Sequence, residues 1–366
     1  MHPFRFGVAV VFGALLTLTA CDSEMSGDPF AEAEAHPGEW SFIQVEGSMC
    51  RDGSPTGIGV RLQPGAKDLM IYLEGGGACF NAETCDSTPL AFGDVEFSQF
   101  AGQRGGSGVF STTSSNPVGD WNMVYVPYCT GDIHGGSRPD ATIDGVSQAQ
   151  QFVGHANVEN ALALLKPYLG DPDHVLLTGS SAGGFGTLIN FPAVADAFTG
   201  SSLTLLDDSG PIFFDDLVLS PPLAATLAST FNLSGSLPAD ASALFATDGL
   251  QGVYGYLSSR YPDATFGLSS YLNDAVIRYF FGFGQPDGSI TAEEYASALR
   301  DVRGRLPASW GTYYADGIFH TFLASPDRFG GTSAGTAYTA WLSGLLAGTP
   351  TNVDPAAQTR VPLAAR

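Results

Sequence analysis

The chain has 366 residues, of which 44% are hydrophobic and only 14% charged, a balance that excludes a disordered chain. Lys and Arg number 15 against 37 Asp and Glu, a formal net charge of −22. That charge argues against nucleic acid as a partner, because neutralising phosphates needs a basic face. It weighs against anionic polymers and anionic lipid surfaces for the same reason.

In chain order, Met1–Phe6 carries Arg5, and Gly7–Ala20 is an uncharged apolar run. The run is short of the ~20 residues that span a bilayer. This is the pattern of a secretory signal peptide over residues 1–20. Its end, Leu18-Thr19-Ala20-Cys21, resembles the bacterial lipobox, in which the cysteine becomes the lipidated first residue. The expectation is an exported, envelope-bound lipoprotein that meets the membrane only through this anchor. Residues 21–39 are polar and read as a flexible tether. No later segment is apolar for long enough to cross a membrane. With Cys21 lipidated, Cys50, Cys79, Cys85 and Cys129 remain, an even number that favours two disulfides in an exported chain. Their spacing does not suggest zinc.

From residue 40 the chain alternates strand-like and helical stretches, which implies an α/β fold with a mostly parallel sheet covered on both faces. Expected strands are Leu69–Leu73, Asn122–Cys129, His174–Thr178, Ser202–Leu206, Thr265–Tyr271 and Gly311–Ala315. Expected helices are Ile143–Leu169, with Val158, Ala161, Leu162 and Leu165 on one face, and Ala182–Ala197. Residues 211–262 lack strand patterns and read as a helical lid inserted in a domain spanning 40–347. Residues 348–366 read as a loose tail.

Thr178-Gly179-Ser180-Ser181-Ala182-Gly183-Gly184 contains GxSxG between a buried strand and a helix. That is the setting of a nucleophile elbow. Side chains at Gly179 and Gly183 would clash in so sharp a turn, and the amide of Ala182 would point at the reacting oxygen. Glu74-Gly75-Gly76-Gly77 follows an earlier strand, where hydrolases of this architecture place the rest of the oxyanion hole. A serine needs a base, and of six histidines only His320 follows Ser181. The acid should follow a late strand, which favours Asp274, with Asp207 and Asp208 as rivals. Asp287–Glu294 imitates half of a calcium loop, but Phe283 and Gln285 occupy earlier ligand positions. Thr291-Ala292-Glu293-Glu294 reads instead as a helix capping box. His134 and His155 lack the spacing of metal ligands. No metal or cofactor site is evident, and oligomeric state is not encoded legibly.

Four blocks resemble the pectin acetylesterase and Notum carboxylesterase family: Leu73–Cys79, Val126–Asp132, Thr178–Gly184 and Asp208–Gly210. The resemblance implies an α/β-hydrolase fold and a triad of Ser181, His320 and Asp274. It implies oxyanion donors at the amides of Gly76, Gly77 and Ala182, and disulfides Cys50–Cys129 and Cys79–Cys85. Ala78 and Ser180 depart from the family blocks, and both are expected near the pocket. The implied activity is hydrolysis of an O-acyl ester, an acetyl group on a carbohydrate being the family-weighted case. A longer acyl chain, or a catalytically silent glycan- or partner-binding lipoprotein, are the alternatives. The net charge disfavours an anionic polysaccharide as the alcohol part.

Overall fold

A computed structural model of the chain describes residues 27–241 and 249–355. Among them, one nine-stranded sheet is built from β1 Ser41–Met49, β2 Pro55–Arg61, β3 Leu69–Leu73, β4 Asn122–Val126, β5 His174–Ser180, β6 Ser202–Asp208, β7 Thr265–Tyr271, β8 Trp310–Ala315 and β9 Asn352–Val353. Their order across the sheet is β1-β2-β4-β3-β5-β6-β7-β8-β9. The first three neighbours pair antiparallel, and every pairing from β4 to β9 is parallel. The longer helices are α1 Asp94–Gln103, α2 Gly154–Leu169, α3 Ala182–Ala197, α4 Pro221–Phe231, α5 Val253–Arg260, α6 Ala275–Gly282, α7 Ala292–Arg305 and α8 Tyr338–Leu346.

The central strands are apolar on both faces because both are covered. Leu69, Ile71 and Leu73 of β3 join one core layer, with Val158, Leu162 and Leu165 of α2 and Leu188, Phe191 and Val194 of α3. Met70 and Tyr72 face the other layer, with Phe97 and Phe100 of α1 and Trp341 and Leu345 of α8. The period of two along β3 thus assigns alternate residues to opposite cores.

Register decides where chemistry can sit. Leu73 pairs with Gly179, Ser180 with Asp208, Asp208 with Ser269, and Tyr271 with Ala315. The carboxyl ends of β3, β5, β6, β7 and β8 therefore stop at one edge. The loops leaving that edge carry Glu74–Gly77, Ser181, Ser209, Asp274 and His320, the usual location of sites in open α/β sheets.

Three stretches differ from the sequence expectations. Helix α2 begins at Gly154, not Ile143. Gly145 takes φ +83°, and Gln150–Phe152 pairs with Arg138–Ala141 in a two-stranded hairpin. A left-handed glycine and a strand ladder both end a helix. The expected tether is docked in its second half: Ala31–Ala35 is a short helix. There Phe30 stacks on Tyr168 at 3.8 Å, and the Tyr168 hydroxyl donates to Glu34 at 2.8 Å. The expected loose tail begins as β9, and buried Asp354 pairs with Arg300 and Arg303. The signal segment 1–20, Cys21 and residues 356–366 lie outside the described residues. No helix among the described residues is long and apolar enough to cross a membrane. The capping box at Thr291 is present, its hydroxyl accepting from Glu294 N–H.

Candidate active site

Ser181 sits between β5 and α3 with φ 59° and ψ −119°, a conformation that costs a non-glycine residue about 1–3 kcal/mol. The turn is sharp because its neighbours have no side chains. A Cβ on Gly183 would lie 2.0 Å from Leu73 O, and one on Gly179 2.5 Å from Gly183 O. The glycine loop after β3 closes in from the other side: a Cβ on Gly75 would lie 2.4 Å from Ser180 O. Ala182 opens α3, where N–H groups lack intrahelical partners. Among the described residues, the amides of Gly76, Gly77 and Ala182 donate no hydrogen bond.

Asp274 and His320 meet directly. His320 Nδ1 donates to Asp274 Oδ2 at 2.7 Å, and Asp274 is fully buried. Asp274 also caps α6, its Oδ1 accepting from Val276 N–H at 2.9 Å and Ile277 N–H at 3.1 Å. The carboxylate is thus held from behind by the helix it starts. With Nδ1 protonated, neutral imidazole leaves Nε2 as the acceptor. That atom is buried and has no partner among the described residues. No hydrogen bond joins it to Ser181 Oγ in this state. Such bonds are often long in unliganded sites and tighten with substrate.

Asp207 and Asp208 make other contacts. Asp207 Oδ1 accepts Gly210 N–H at 2.7 Å, and burial pushes its carboxyl well up. Asp208 is the junction of the site. Its carboxylate accepts Ser180 Oγ at 2.8 Å, Ser269 Oγ at 3.0 Å, Phe322 N–H at 2.8 Å and Leu323 N–H at 3.0 Å. Its carbonyl accepts Ser181 N–H at 2.8 Å. One buried residue therefore ties the Ser181 turn to the loop that carries His320. Beside it, Thr321 N–H donates to Ser209 Oγ at 3.2 Å, and both residues have positive φ. Burial pushes the Asp208 carboxyl up, and the amides of Leu323 and Phe322 oppose that.

The glycine loop is supported from below. Tyr128, fully buried, donates its hydroxyl to Gly77 O at 2.8 Å and accepts Ile133 N–H at 2.9 Å. His134 Nε2 lies 2.8 Å from Glu74 O, which can only accept, so Nε2 carries the proton. Burial pulls the His134 pKa down to about 4, leaving it neutral at pH 7. Ile133 and His134 both hold φ near +55°, a strained pair locked by these bonds.

Ser181, Gly77 and Ala182 open onto a slot whose other walls include Ile133, Phe185, Ile212, Leu223, Phe280 and Phe281. Among the described residues, every lining side chain apart from Ser181 is apolar or absent, and the cavity is about 80 Å³. The lining residues from Ile212 to Val253 belong to the segment read as a lid, which supplies α4 and α5.

A family model described as pectinacetylesterase matches residues 32–233, more than half of the chain. The chain belongs to the pectinacetylesterase family. Palmitoleoyl-protein carboxylesterase notum1a of Danio rerio is 32% identical over 178 residues, 46% of this chain and 35% of that protein. Palmitoleoyl-protein carboxylesterase NOTUM of Mus musculus is 34% identical over 151 residues, 40% of this chain and 29% of that protein. The chain spans about a third of the length of these curated relatives. The solved structure of the Wnt deacylase Notum from Drosophila superposes with a TM-score of 0.67 at 20% identity, covering 86% of this chain and 95% of that one. The shared fold is the Notum-like α/β-hydrolase fold.

In this member of the pectinacetylesterase family, disulfides join Cys50 to Cys129 and Cys79 to Cys85, the pairing implied by the sequence blocks. Ala78 lines the slot, but Ser180 points away from it to Asp208. Sequence reasoning missed Arg51. Its buried guanidinium reaches Pro89 O at 2.8 Å, Cys85 O and Thr88 O at 2.6 Å, and Gln150 Oε1 at 2.7 Å. It stiffens the disulfide loop that follows the three glycines. Its place beside Cys50 was the only local signal. Asp208 was seen only as a rival acid, because its partners lie in segments far along the chain. Among the described residues there is no cluster of His, Cys, Asp or Glu that could hold a metal.

Proposed function

We propose that the chain is a serine carboxylesterase acting on O-acyl esters by an acyl-enzyme route. His320 Nε2 takes the proton from Ser181 Oγ as that oxygen bonds to the ester carbonyl carbon. The amides of Gly76, Gly77 and Ala182 receive the oxyanion, each such donor being worth on the order of 10²–10³ in kcat. The carbon–oxygen bond to the alcohol then breaks, and His320 returns the proton to the departing alcohol. Water attacks the acyl-enzyme with His320 again as base, and the acid leaves as Ser181 Oγ is reprotonated. Asp274 holds the imidazole tautomer throughout.

The observation that carries this reading is the opening of the Ser181 elbow onto a slot of apolar side chains, with the hydrogen-bonded Asp274–His320 pair carried on loops from the same edge of the sheet. The same slot favours an acyl chain longer than acetyl. A sugar ring inside it would leave hydroxyls unpaired, at about 1–3 kcal/mol each. Notum relatives whose names specify a palmitoleoyl-protein ester lend support to an aliphatic acyl group. The net charge of −22 argues for an alcohol part that is not anionic. Export belongs to the same reading, since two disulfides favour an oxidising compartment. Lipidation of Cys21 would then tether the domain to an envelope membrane.

The test is kcat/KM across p-nitrophenyl esters of increasing length. Each buried methylene is worth about 0.8 kcal/mol. With partial burial, the rise from acetate to octanoate is expected to be on the order of 10²–10³. A preference for acetate by tenfold or more would return the reading to an acetylesterase.

A further inference from the structure

Helix α4 stands between two cavities. Leu223 and Leu227, four residues apart on one face, line the slot that Ser181 opens into. Ala224 and Ala228, on a neighbouring face, line a second groove of about 440 Å³. Leu219, Leu233, Leu237 and Leu250 line both spaces. One layer of leucine side chains is therefore shared between a tight catalytic slot and a larger groove whose near wall is alanine. Among the described residues no charged group lines the slot, and the groove adds Asp216, Ser234 and Gln251 among mainly apolar residues. An unbranched chain that fills the slot meets this layer next, and beyond it finds apolar surface with room to spare.

We propose that the groove is a second acyl site and that these leucines form the gate between the two. The occupant is the distal, methyl-terminated part of an acyl chain too long for the slot, its carbonyl remaining at Ser181. Chains that end before this leucine layer fit the slot alone. Longer chains bind only when the leucines swing aside, so the closed wall discriminates against them. The inference rests on the esterase reading above, and its test separates the two.

The variants are Leu237→Ala with Leu250→Ala, which trims the wall at two half-buried positions, and Leu237→Trp, which thickens it. The measured quantity is the ratio of kcat/KM for p-nitrophenyl laurate to that for p-nitrophenyl butyrate, with Tm recorded for each protein. The double variant is expected to raise the ratio about tenfold, and Leu237→Trp to lower it by a similar factor, since each exchange alters access for several methylenes. Ratios within twofold of wild type in both folded variants would overturn the gate while leaving the esterase reading intact. A wild-type protein that cleaves no ester of any length would remove the esterase reading, and the gate with it.

Discussion

Asp274→Asn is expected to lower kcat by on the order of 10⁴ while leaving Tm within a few degrees of wild type. The two parts of this expectation have separate causes. Asp274 Oδ1 accepts the amides of Val276 and Ile277, and an asparagine oxygen does this equally well. The α6 cap therefore survives. Oδ2 accepts the Nδ1 proton of His320, and an asparagine NH₂ at that place donates instead. The imidazole then carries its proton on Nε2, the atom that must accept from Ser181. Steady-state kinetics with an activated ester, beside a thermal melt, reads both parts. A loss below tenfold would show that His320 is oriented by something other than Asp274. A collapse of Tm would show that the cap, not the tautomer, dominates.

The second large effect is expected at Asp208. Removing its carboxylate in Asp208→Ala leaves the amides of Phe322 and Leu323 and the hydroxyls of Ser180 and Ser269 without their acceptor in a closed interior. Each buried donor left without an acceptor costs about 1–3 kcal/mol, so the two amides together cost on the order of 2–6 kcal/mol. At about 2–4 °C per kcal/mol for a domain of this size, Tm falls by on the order of 10 °C. Activity falls further than the folded fraction does, because the loop bearing His320 loses two of its anchors to the Ser181 turn. Asp208→Asn retains one oxygen and most of the shape, so it is expected to recover much of the stability and less of the activity. Equal losses of Tm and kcat along the pair of variants would make Asp208 a stability residue alone. Thermal melts and kcat measured well below the lower Tm distinguish these outcomes.

The sequence made the middle of the sheet legible because both faces of β3, β5, β6 and β7 are buried. Their apolar runs end sharply at glycine, serine or an acidic residue, as in Leu73-Glu74 and Leu206-Asp207. The elbow was legible because its glycines answer to backbone clashes within a few residues. His320 was singled out by elimination, and the structure places it against Asp274. Other features depend on contacts between distant segments. β1 and β2 pair with each other at the sheet edge; exposed positions break the apolar run of β1, and Gly57, Gly59 and Arg61 interrupt that of β2. The start of α2 is set by a hairpin partner, not by helical periodicity. Asp208 and Arg51 act through donors and acceptors dozens of residues away. The slot belongs to this second class as well. Ile133, Leu223, Phe280 and Phe281 come from one loop and two helices far apart in the chain, and only their convergence shows an apolar chamber where the family resemblance implied an acetyl group on a sugar.

One measurement bears on the reading as a whole: labelling of the folded protein with a fluorophosphonate probe, with the modified residue located by peptide mass spectrometry. The expected result is a single adduct on Ser181, absent in Ser181→Ala, with hydrolysis of p-nitrophenyl esters lost by on the order of 10⁴–10⁶ in that variant. A folded wild-type protein that takes no label, or a Ser181→Ala protein that hydrolyses esters at the wild-type rate, would contradict a serine esterase and leave a hydrolase fold used for binding.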